Sequence, residues 1–152
     1  MFAASTTIAQ VSQALHASAI FIAVLVLLGV ALSIPVMLRR WQSQIGLGTG
    51  GDATLLQRTR THGNFIEHAT LVLPLLGVAP FVGAPATVIY CVGGAMVVGR
   101  LLHAQGLSQT AGVSPGRALG MMLSWISLLG GAMSVLIYTL TTGTVLPLLA
   151  AG

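Results

Sequence analysis

The chain has 152 residues, of which 55% are hydrophobic and 5% charged, against about 25% charged residues in an ordinary soluble domain. So few polar groups cannot coat a soluble surface, and the six basic residues, all arginines with no basic cluster, exclude the patch that nucleic-acid binding requires. The length suits one domain of about four membrane spans, each using roughly 20 apolar residues.

Residues 1–13 are small and polar with no basic start, and the apolar run from about Leu15 to Leu38 is too long for the core of a signal peptide. It predicts a retained spanning helix over 14–40, closed by Arg39, Arg40 and Trp41 at headgroup depth and kinked near Pro35. Ser43 to Thr54 reads as a polar, glycine-rich connector, because no lysine follows that would make it a phosphate loop. A second helix is expected over 55–81, polar in its first turns, bent at Pro74 and ended near Pro80. Gly83, Ala84 and Pro85 make a turn into a third helix over 86–103, which holds Cys91, the one cysteine, so no internal disulfide is possible. A polar loop, 104–114, leads to Pro115, placed as a first helical residue should be, and a fourth helix over 115–140. The fold class is therefore all-α, a polytopic membrane protein with a four-helix transmembrane bundle.

Arg39, Arg40, Arg58 and Arg60 flank the first connection, Arg100 and Arg117 flank the third, and the other ends carry no basic residue. The excess of arginine on cytoplasmic loops then predicts both termini outside the cytoplasm. Asp52 and Glu67, the two acids, lie on the arginine side as well. Any site that uses charge belongs to that end of the bundle.

Within the segment RTRTHGNFIEH, Arg60, Asn64 and Glu67 fall at i, i+4 and i+7 and share one helix face, a polar stripe entering the membrane. A charge at mid-bilayer costs about 2.5–3.5 kcal/mol on insertion scales, so Glu67 is expected to face protein or water and to pair with an arginine. The plain alternative is a salt bridge that only glues helices. Arg100 and His103, in GRLLHAQGL, sit one turn apart, and Arg117 opens the fourth helix at the same depth. A metal set of His62, His68, His103 and Glu67 is disfavoured, since His62 and His68 are six apart and no metal-ligand spacing such as HxxxH occurs. On the fourth helix Gly116, Gly120, Ser124, Ser127, Gly131 and Ser134 form a stripe of small residues suited to close helix packing.

The pattern Arg60-x-x-x-Asn64-x-x-Glu67, with GRLLHAQGL and Pro115-Gly116-Arg117, resembles the membrane-associated proteins in eicosanoid and glutathione metabolism, the MAPEG family, and HGNFIEH followed by LVLPLLG looks most like bacterial members. The resemblance implies a homotrimer in a bacterial inner membrane, with glutathione bound between subunits at the cytoplasmic side as cosubstrate. It implies a glutathione-dependent transferase or peroxidase acting on hydrophobic electrophiles that reach the site from the lipid bilayer. Arg60 would bind a glutathione carboxylate, Asn64 its peptide, and Glu67 its ammonium. Arg39 or Arg40, Arg100 and His103 fall at further contacts, His62 would come from the adjoining subunit, and His68 stands where some relatives have a tyrosine. Arg117 would steady the thiolate. Gln105 and Leu107 occupy positions where eicosanoid-processing relatives place tyrosines, which leaves fewer hydroxyl donors near a thiol. The alternative function is a non-catalytic binding or accessory subunit on the same scaffold.

Overall fold

The computed structural model describes residues 8–110 and 112–142. They form four helices, α1 (Ile8–Ser43), α2 (Ala53–Val78), α3 (Ala86–Gln109) and α4 (Pro115–Thr142), with no strand among the described residues. The all-α bundle expected from the composition is the observed one. By length and composition α1, α3 and α4 can each cross a membrane. α2 does not match them, because Arg58, Arg60 and Glu67 interrupt its first half, although its 26 residues reach about 39 Å at 1.5 Å per residue.

Local chemistry explains the ends. Asp52 caps α2: its Oδ1 accepts from the Leu55 amide at 2.9 Å, while its Oδ2 pairs with Arg39 Nε at 2.8 Å. One carboxylate thus starts α2 and ties it to the last turns of α1. In the connector, Gly48, Gly50 and Gly51 have positive φ and let the chain curl around Arg40. The Arg40 guanidinium donates to the carbonyls of Ile45, Gly46 and Gly48.

Proline shapes the seam between α1 and α2. α2 runs through Pro74 as one helix and stops at Val78, two residues before Pro80. Pro80 has no amide hydrogen, so the Leu76 carbonyl lacks its usual partner four residues on. The buried Ser18 hydroxyl of α1 donates to that carbonyl at 2.8 Å. Around this bond lies the apolar core, with Leu25, Phe65, Val72, Leu76, Ile89 and Met96 all 3% exposed or less.

α3 and α4 meet backbone to backbone. A Cβ added to Gly120 would stand 2.5 Å from the Gly99 carbonyl oxygen and 2.6 Å from the His103 amide nitrogen. One on Gly106 would stand 2.8 Å from the Arg117 amide nitrogen. The small-residue stripe of α4 is therefore consumed within the chain: Gly120, Ser124, Ser127 and Gly131 are buried. The other face of α4 leaves Met122, Trp125, Ile126 and Leu129 exposed, as a lipid-facing surface must be.

Two helices are longer than expected: α1 starts at Ile8 rather than near residue 14 and ends at Ser43, and α3 overruns its expected end. It continues to Gln109, six residues beyond His103, into the segment expected to be loop. The reason is a side chain on α2: Gln57 Nε2 donates to the Leu107 and Ser108 carbonyls at 2.7 and 3.1 Å and satisfies groups that a helix end leaves open.

Candidate functional site

That contact brings the start of α2 beside the end of α3, and the close α3–α4 pairing adds the start of α4. All six arginines consequently gather at one end of the bundle. There a groove of about 370 Å³ is lined by Arg60, Asn64 and Glu67 of α2, by His103 and Leu107 of α3, and by Arg117 of α4, with Leu56 and Gln57 along its side. The stripe inferred from the i, i+4, i+7 spacing forms one wall of it.

Arg100 lies behind that wall. It is 1% exposed, and no carboxylate pairs with it, the ion pair among the described residues being Arg39 with Asp52. Hydrogen bonds hold it instead. Its Nε donates to Ser124 Oγ at 2.8 Å, one terminal nitrogen to Asn64 Oδ1 at 2.8 Å and the Asn64 carbonyl at 3.3 Å, and the other to the Gly120 carbonyl at 3.2 Å. A guanidinium has only donors, so the Asn64 amide must turn its oxygen inward. Its NH2 is left as the donor available to the groove.

Ser124 completes the support, accepting from Arg100 while donating to the Gly120 carbonyl at 2.7 Å. The sequence places Ser124 only in a packing stripe, and its polar role was hidden because the partner is 24 residues away. Gln57 was likewise unmarked, although it falls on the same α2 face as Arg60 and Asn64.

Other candidates lie beside the groove or away from it. His68 Nδ1 donates to the Asn64 carbonyl at 3.0 Å, which puts the proton on Nδ1, and His103 is buried at 5% exposure. His62 faces the opposite way, into an apolar groove between α1 and α2 beside Gly29 and Phe65. Arg39 is outside the groove, engaged with Asp52, and Arg40 is wrapped by the connector. Arg117 sits in the first turn of α4, its amide donating to Ser114 Oγ at 3.3 Å and its guanidinium to the Gly112 carbonyl. No group of three or more His, Cys, Asp or Glu is gathered among the described residues.

Glu67 departs from the expectation that an arginine would neutralise it. It is exposed on the outer side of α2, as is Arg60, and makes no ion pair among the described residues. The groove therefore combines a carboxylate, a guanidinium from each of two helices, an amide donor and the buried His103 imidazole, with Glu67 and Arg60 exposed at its rim. Such a set suits a small zwitterion with more than one acidic group.

Comparison with known proteins agrees with this architecture. Over 112 residues, 74% of this chain and 84% of the relative, the sequence is 29% identical to "Inner membrane protein YecN" of Escherichia coli strain K12, and equally so to the protein of that name in strain O6:H1. No solved structure matches significantly. The MAPEG family model matches residues 18–137, which contain the whole groove, and the chain belongs to the MAPEG family of membrane proteins.

Proposed function

We propose that the protein is a glutathione-dependent transferase or peroxidase of the inner membrane that acts on hydrophobic electrophiles. The observation that carries the reading is the groove in which Arg60, Asn64, Glu67, His103 and Arg117 converge. Glutathione has two carboxylates, one ammonium, two peptide groups and a thiol. Arg60 answers a carboxylate, the outward NH2 of Asn64 a peptide carbonyl, and the unpaired Glu67 the ammonium. Arg117, on the third wall, is the cation for the sulfur. A guanidinium near a thiol favours the thiolate and lowers a pKa that is ordinarily about 8.5. The thiolate attacks an electrophile delivered along the apolar outer face of α4.

Exposure of Arg60 and Glu67 in the groove supports a site completed by a neighbouring copy in a homotrimer. On that arrangement His62, on a different face of α2, and Arg39 contribute to a neighbour's site or to none. His68 and Arg100 act from behind, on Asn64.

Binding of radiolabelled glutathione to the purified protein tests the reading, with thiolate absorbance followed against pH. Micromolar to millimolar binding is expected. Glu67→Gln should weaken it, while Arg117→Ala should leave much of the binding and raise the pH at which the thiolate appears. Absence of binding would favour the accessory-subunit function.

A further inference from the structure

A second cavity, larger than the first, lies on the adjoining face of α2, where α1 and α3 part toward the arginine end. The two helices touch at Phe21 and Gly93, and the Phe21 ring fills the place a Gly93 side chain would take. Beyond that contact they enclose about 610 Å³ with α2 as the floor. Leu28 and Leu32 of α1, Leu101 of α3 and Thr61 of α2, whose hydroxyl donates to the Gln57 carbonyl, line its inner part. Its outer part has Thr54, Arg58, Gln105 and Ser108. Leu28 and Pro35 are seven residues apart, about 10 Å along the helix, so the lining passes from hydrocarbon to polar over the depth at which a lipid monolayer does the same.

Charge at the polar end is not balanced. Arg39 is matched by Asp52, whereas Arg58, partly buried, donates one hydrogen bond to the Pro35 carbonyl at 3.1 Å and has no carboxylate within ion-pair distance among the described residues. A carbonyl occupies one of five N–H donors and neutralises nothing. We propose that this cavity holds one acyl chain of an anionic phospholipid of the surrounding bilayer, with the phosphate against Arg58 and the chain along Leu28, Leu32 and Leu101. The graded lining selects an amphiphile over a wholly polar ligand, and the guanidinium selects a negative headgroup. The site shares only the Gln57 side chain with the arginine groove of the other α2 face, and it does not rest on the glutathione reading.

Native mass spectrometry of the purified protein, titrated with dioleoyl phosphatidylglycerol or dioleoyl phosphatidylcholine, tests the proposal. One arginine near a membrane surface favours an anionic lipid about five-fold, so retention of phosphatidylglycerol should exceed that of phosphatidylcholine by about that factor. Arg58→Gln should abolish the preference, and Arg58→Lys, which keeps the charge and checks folding, should retain it. Arg40→Gln should change nothing. Leu32→Trp, filling the inner part, should remove the most tightly held molecule of either lipid. The proposal is overturned if wild type shows no headgroup preference, if Arg58→Gln keeps it, if Leu32→Trp binds as before, or if oleate is retained where phosphatidylglycerol is not.

Discussion

Replacing Arg100 with methionine separates what this buried cation does for stability from what it does for the groove. The substitution removes four hydrogen bonds, yet three of the acceptors keep another partner. Ser124 still donates to the Gly120 carbonyl, which is thereby satisfied, and the Asn64 carbonyl still accepts from His68. Only Asn64 Oδ1 is orphaned, at a cost of about 1–3 kcal/mol. Against that stands the removal of a guanidinium buried without a carboxylate, whose desolvation penalty is several kcal/mol. The two nearly cancel, so Arg100→Met should unfold within about 2 kcal/mol of wild type, unlike the 3–5 kcal/mol expected when half of a buried ion pair is deleted. Ligand binding should suffer more clearly. With its oxygen released, the Asn64 amide is free to rotate, and losing one oriented hydrogen bond of about 0.5–1.5 kcal/mol weakens glutathione binding by roughly 2- to 12-fold. Titration with sodium dodecyl sulfate, followed by circular dichroism, reads the first quantity and radioligand binding the second. A variant destabilised by more than about 4 kcal/mol, or one with unchanged affinity, would refute the assignment of Arg100 as the residue that orients Asn64.

Gly120→Ala should be severe, because the new carbon meets backbone on α3 at 2.5 Å and backbone cannot rotate aside; a loss of about 1–3 kcal/mol is expected, read by the same titration. The Leu55 amide, and then the Arg39 guanidinium, hold the Asp52 carboxyl below its ordinary value of 3.8. A depressed carboxyl contributes stability above the unfolded value and loses it as pH falls through the folded one, so Asp52→Asn should flatten the part of the acid denaturation curve below about pH 4. Reporter fusions at Gly51 and at the C-terminus should give opposite signals, with Gly51 cytoplasmic; a cytoplasmic C-terminus would reverse the proposed orientation. Mass measurement in mild detergent should find three copies, and a monodisperse monomer would remove the shared site.

Helix positions were readable because apolar runs, Pro115 and the Gly83 turn are local signals. The Arg60, Asn64 and Glu67 face was readable for the same reason, since three residues within two turns need only the helical period. What escaped depends on partners far away in the chain. The last six residues of α3 look like loop until Gln57, 50 residues earlier, is seen capping them. Glu67 was expected to be paired, because burial of a charge demands a partner, but it lies on the outside of the subunit and the demand does not arise within one chain. The resemblance puts Arg100 among the ligand contacts, and its guanidinium reaches inward to Asn64, Ser124 and Gly120, a direction that periodicity cannot supply for a six-bond side chain.

The close seating of α3 on α4 has a consequence for how such a protein can change over time. At Gly99, Gly106 and Gly120 an added Cβ would stand less than 3.0 Å from a backbone atom of the facing helix, so the joint is set in large part by main chain. That joint fixes where Arg100, His103 and Arg117 leave the two backbones. Met122, Trp125, Ile126 and Leu129, by contrast, are exposed on the other face of α4 and have room to differ in size and shape. The molecule thus joins a polar end set by backbone contact to an outer face on which preference for one apolar partner over another can be rewritten one side chain at a time.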